Sequence, residues 1–176
     1  MNYIINDYKP EKMFNFFEDL AAIPHGSHNE AAVADALVSF AQERGLKYVR
    51  DDLNNVLIKK SATAGYENEP AVLLQGHTDM VCEKNADTEH DFLTDPLKLY
   101  VKDGTLRAEG TTLGADDGVA VALMLALLDG AAEEHPALEC LFTATEETGL
   151  IGAIGFDSRP SLRPSPGPHT DHRQSF

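Results

Sequence analysis

Hydrophobic positions along the chain switch between two periods, and each switch marks a short element. Between residues 11 and 23, Met13, Phe14, Phe17, Leu20 and Ala21 recur at helical spacing, and Pro24 closes the segment. Ser27-His28-Asn29-Glu30 has the form of a capping box, with Ser27 as N-cap and Glu30 reaching back to it. The helix it opens carries Val33, Leu37, Phe40 and Ala41 on one face as far as Gly45. Extended segments follow at 47–50 and 55–59, joined by a turn at Asp52-Leu53-Asn54-Asn55. The apolar run 71–74 predicts a short buried strand that stops at Gly76. Segments 97–102 and 105–108 straddle Asp103-Gly104, the strongest hairpin signal in the chain. Residues 119–129 are apolar all round and predict a helix buried on most sides. A further buried strand is expected over 138–145, then the start of a helix at 150–154. Strands alternating with buried helices predict an α/β domain, a layered sheet with flanking helices.

Composition narrows the function classes. A chain of 176 residues is long enough for one domain with a sizeable core. Its formal net charge of −15 argues against nucleic acid or an anionic membrane surface as partner, and suits a site that gathers cations. No apolar run is long enough to span a bilayer and no signal peptide follows Met1, so the chain is expected to be cytoplasmic. Cys82 and Cys140 give neither a disulfide framework nor a paired Cys-x-x-Cys, and are expected as thiols in or near the core. From Arg159 the character changes. Four of the nine prolines fall in this stretch, with three arginines against one acid, whereas residues 1–158 hold eleven bases against twenty-eight acids. The division expected is a domain at 1–158 and a disordered tail at 159–176, foreign to the domain before it.

Candidate chemistry lies at the ends of three predicted elements. His77 and Asp79 follow the 71–74 strand two residues apart, so an extended chain puts both on one side. A neutral imidazole binds a divalent metal, and a nearby carboxylate holds its ring in one orientation. Asp116 and Asp117 precede the 119–129 helix in a glycine-rich loop, and Glu146-Glu147 close the 138–145 strand. Either acidic pair alone has an ordinary reading, helix capping for the first and solvation for the second. Convergence of all three at the carboxyl edge of an α/β sheet, where ligands bind, points to a metal site instead. Histidine and carboxylates without thiolates suit Zn2+, with Co2+ or Mn2+ as alternatives in a two-metal hydrolase. His25 and His28 flank the capping box and read as solvated turn residues rather than substrate contacts, and the acidic connection 84–96 with His90 reads as surface.

Gly76-His77-Thr78-Asp79-Met80-Val81, Gly114-Ala115-Asp116-Asp117-Gly118 and Thr145-Glu146-Glu147-Thr148-Gly149 resemble, in order and spacing, the signatures of the zinc-dependent dipeptidases, and within them the aminoacyl-histidine branch. The similarity runs over roughly residues 10–158. It implies hydrolysis of dipeptides, either of the Xaa-His type or of broad specificity, at two zinc ions. His77 would bind one ion, Asp116 would bridge both, and Glu147 would bind the second. Glu146 would be the general base, Asp79 would orient the His77 ring, and the Asp116–Asp117 peptide would be cis. An aminoacylase or tripeptidase of the same clan is the alternative enzyme; a non-catalytic acidic metal-binding fragment is the alternative outside catalysis. Family members carry a further aspartate ligand about two dozen residues after the glutamate pair. They also carry a distal histidine ligand beyond an inserted lid domain that supports homodimers. Here the corresponding region is the Pro-rich stretch, where Asp171 and His172 stand in no matching context. A truncated form, weakly active or inactive, is therefore expected.

Overall fold

The computed structural model describes residues 3–5 and 8–157; the Pro-rich segment, with Asp171 and His172, lies outside them. Chain order is α1 (Glu11–Ala21), α2 (Ala31–Glu43), β1 (Lys47–Arg50), β2 (Val56–Lys60), β3 (Val72–His77), β4 (Leu99–Lys102), β5 (Thr105–Ala108), α3 (Ala115–Leu128), β6 (Leu138–Thr143) and α4 (Ile151–Gly155). Four strands form one sheet in the order β1-β2-β6-β3. β2 pairs antiparallel with both β1 and β6, and β3 runs parallel to β6. That parallel pair matters for function, because it brings the carboxyl ends of β3 and β6 to the same edge.

The alternation of β2 and β6 sends Val56, Ile58, Cys140 and Phe142 to one face. They merge there with Leu20 of α1, Val33, Leu37 and Phe40 of α2, and Val121, Met124 and Leu125 of α3. Full burial of such side chains contributes about 1.5–3 kcal/mol each. The hairpin β4–β5 stands apart as a two-stranded sheet. Asp103 (φ 52°) and Gly104 (φ 70°) both take the left-handed conformation that a tight two-residue turn requires. Among the described residues no helix is long and apolar enough to cross a membrane.

Several expectations are corrected. Gly76 does not stop the strand: it pairs with Phe142, and His77 pairs with Thr143. The glycine answers to packing. A Cβ there would lie 2.9 Å from Asp117 Oδ2, 3.1 Å from Ala120 Cβ and 3.2 Å from Met124 Cε. Gly76→Ala is accordingly expected to destabilise the chain by about 1–3 kcal/mol, as overpacking does. Thermal unfolding checks this, since each kcal/mol lowers the midpoint of a domain this size by about 2–4 °C. Nor is β3 buried along its length. It lies at the edge of the sheet, with Val72 42% and Leu73 54% exposed. α3 likewise leaves Val119 and Leu123 on an outward stripe, so an all-apolar helix is here only partly enclosed.

The capping box does not form. α2 starts at Ala31 with Glu30 as its N-cap, and no side chain caps it. Ser27 and Glu30 are drawn off to partners around the site instead. Of the cysteines, Cys140 is buried as expected but Cys82 is exposed.

Candidate metal centre

His77 ends β3, Thr143 ends β6 two residues before the turn at Thr145, and Asp116 and Asp117 open α3. Three segments distant in sequence thus meet at one sheet edge. One ligand atom each from His77, Glu146 and Glu147 lies within 4.8 Å of the others. His77 Nε2 is 3.3 Å from Asp116 Oδ1 and 3.8 Å from Glu146 Oε2. The Asp116–Asp117 peptide is cis, and both residues depart from helical backbone angles. Asp117 points inward, its Oδ2 accepting the His77 backbone N–H at 3.3 Å; burial raises its carboxyl above the ordinary range.

The imidazole orientation follows from the chain just after it. Nδ1 lies 2.9 Å from the Asp79 backbone carbonyl, to which it donates, and 3.5 Å from the Asp79 carboxylate. Nε2 is left facing the acidic cluster, the arrangement that fixes a histidine ligand. Asp79 is 1% exposed and acts as a hub. Its carboxylate accepts the Ser27 hydroxyl at 2.7 Å and the backbone N–H groups of Glu146 at 2.8 Å and Glu147 at 3.2 Å. Burial by itself would raise the Asp79 carboxyl, but the bonds from His77, Glu146, Ser27 and Glu147 outweigh it and hold the group well below the usual carboxylate range. Asp79 therefore braces the glutamate turn as well as the ring, a role the sequence did not suggest.

The same hydrogen bonding with Asp79 pushes His77 up to about 9, against the opposing effect of burial. Glu147 is raised too, by desolvation and by the neighbouring carboxylates of Glu146, Asp116 and Asp79, with His77 opposing. A raised histidine stabilises the fold fully below its unfolded value of about 6.5, and that contribution is lost as pH climbs through about 9. Metal binding has the opposite dependence, because a ligating imidazole must shed its proton. Apparent zinc affinity is expected to rise about tenfold per pH unit between pH 6.5 and 8.5. Titration calorimetry in buffers of different ionisation enthalpy checks this, and should show close to one proton released for the ion that His77 binds.

Sequence reasoning missed two supporting residues. Ser27 is bound to Asp79, while buried Glu30 accepts the Thr145 hydroxyl at 2.7 Å and the His28 backbone N–H at 2.9 Å through Oε1. Their capping-box spacing disguised them. His25, read as a solvated turn residue, is 4% exposed; it donates from Nδ1 to the Ile23 carbonyl, and burial lowers its pKa. His28 is exposed, and the 84–96 connection lies mostly on the surface.

In fold and sequence the chain is similar to part of several peptidases. It is 44% identical over 151 residues to the cytosol non-specific dipeptidase of Escherichia coli (strain K12), a match covering 86% of this chain and 31% of that protein. The crystal structure of aminoacylhistidine dipeptidase from Vibrio alginolyticus superposes with a TM-score of 0.83 at 44% identity, over 87% of this chain and 31% of that one. A tripeptidase from Staphylococcus aureus follows at a TM-score of 0.68 and 27% identity, over 84% of this chain and 39% of that one. The chain thus spans about a third of the length of these relatives. No family profile matches it.

Proposed function

We propose that this chain carries the metal-binding half of a dipeptidase site, in which Zn2+ serves hydrolysis of a small peptide. The observation that carries the reading is the convergence of His77, Glu146 and Glu147 donors within 4.8 Å, with Asp116 3.3 Å from the imidazole. Donors each about 2 Å from one ion sit at most about 4 Å apart, so His77 Nε2 and Asp116 Oδ1, 3.3 Å apart, fit one divalent cation as they stand. Oxygen and imidazole donors without thiolate suit zinc, with cobalt or manganese as substitutes. His77 and Asp116 would hold one ion, and Asp116 and Glu147 a second. Bound divalent ions supply Lewis-acid polarisation of the scissile carbonyl and make water a nucleophile at neutral pH.

The remaining work belongs to the chain. Glu146 takes a proton from the attacking water and returns it to the departing amine nitrogen. Asp79 acts through others: it secures the ring of His77 and the backbone of Glu146 and Glu147, so the base keeps its place beside the ligands. The domain is assigned to 1–158, the Pro-rich stretch is placed outside it, and the compartment is taken as cytoplasmic, in line with the cytosolic relative. The test is zinc binding by the 176-residue chain together with hydrolysis of Xaa-His dipeptides. Uptake of zinc with slow hydrolysis is expected, because two ligands per ion hold metal loosely. A chain that takes up no zinc at 100 μM total metal, a loading above roughly micromolar dissociation constants, refutes the reading.

A further inference from the structure

We propose that Glu30 and Thr145 form a clamp that aims the Glu146 and Glu147 carboxylates, making both positioning residues for metal binding; this rests on the metal-site reading above. Thr145 is a β-branched residue at φ 55°, in the left-handed region that such side chains rarely occupy. A conformation of this kind persists only where its surroundings hold it. The surroundings here are specific. The Thr145 hydroxyl donates to Glu30 Oε1 at 2.7 Å across 115 residues of sequence, and Glu30 is itself 3% exposed and fixed by the His28 N–H.

The chain reverses at Thr145. The next two backbone N–H groups, those of Glu146 and Glu147, both turn onto Asp79, while Leu150 and Ile151 N–H groups close the turn on the Glu146 and Thr145 carbonyls. An extended Thr145 would send those two N–H groups elsewhere, and the carboxylates with them. Asp79 therefore grips the turn after its reversal, and Glu30 holds the residue that makes the reversal. The start of α2 is in this way tied to the metal site, although it lends no ligand.

Zinc affinity, measured by competition with a chromophoric chelator, separates this from a purely structural role when zinc-free unfolding is followed in parallel. Glu30→Ala and Thr145→Val are expected to weaken zinc by about 10–100-fold, the usual effect of losing an outer-shell partner. Glu30→Gln keeps an acceptor for both bonds and Thr145→Ser keeps the hydroxyl, so both should stay close to the parent. Thr145→Gly covers the case in which the valine variant does not fold. Glycine accepts the left-handed angle without strain, which offsets part of the lost hydroxyl bond, so the zinc-free protein should stay folded yet bind zinc more weakly. Parent-like zinc affinity in Thr145→Gly and Glu30→Ala overturns the clamp while leaving the metal site standing. Failure of the parent itself to bind zinc overturns both, and is a distinct result.

Discussion

Glu146→Gln is expected to lower dipeptide hydrolysis by about 10²–10⁴-fold, the range for loss of a general base, while zinc still binds. Glutamine keeps the volume and one acceptor oxygen of the side chain but cannot carry a proton between water and amine. It also leaves untouched the backbone N–H that Glu146 gives to Asp79 at 2.8 Å, so the turn should keep its shape. The proximity of Glu146 Oε2 to His77 Nε2, 3.8 Å, sets a second reading against this one. A carboxylate that close is also within reach of a metal, and if it is a ligand zinc affinity falls along with turnover. Measuring both quantities on the same preparation separates the roles: rate lost with metal retained marks a base, both lost marks a ligand, and rate retained assigns the base to another group.

Asp79→Ala should have the largest effect on the fold. Removing one partner of a buried ionic hydrogen-bonded set costs about 3–5 kcal/mol, a large part of the 5–15 kcal/mol that holds a typical domain together. Here the loss would strand the Ser27 hydroxyl and two backbone N–H groups, and leave His77 without its carboxylate. Chemical denaturation should show a much earlier midpoint, and zinc binding should vanish. Asp79→Asn is the informative companion, since its amide oxygen still accepts but carries no charge. An alanine variant as stable as the parent would show that the turn holds itself.

Much of this was legible because it is local. The hairpin at Asp103-Gly104 is dictated by two residues that tolerate left-handed angles, and the helix face of Val33, Leu37, Phe40 and Ala41 by spacing alone. The placement of His77, Asp116, Glu146 and Glu147 at element ends was likewise visible, because each follows a change in apolar pattern. What stayed hidden depends on partners far along the chain. Gly76 reads as a stop until Asp117, Ala120 and Met124 are known to press on it. Ser27 and Glu30 match a capping box in sequence, yet Asp79 and Thr145 compete for them and win. The apolar residues of β3 gave no hint that they sit on the rim of the sheet, since strand order is a property of the whole topology.

The bonds that assemble the centre span 52, 67 and 115 residues of chain, and this bears on the order of events as the protein is made. Loops of that length close slowly relative to local helix and hairpin formation. On the ribosome, His77, Asp79 and Asp116 emerge well before Glu146 and Glu147, and β3 has no described neighbour to pair with until β6 has left the tunnel. A nascent chain stalled before residue 138 would thus hold its histidine and aspartates without a sheet to set them side by side. Uptake of an ion then becomes a late marker of synthesis, appearing only once β6 is in register with β3.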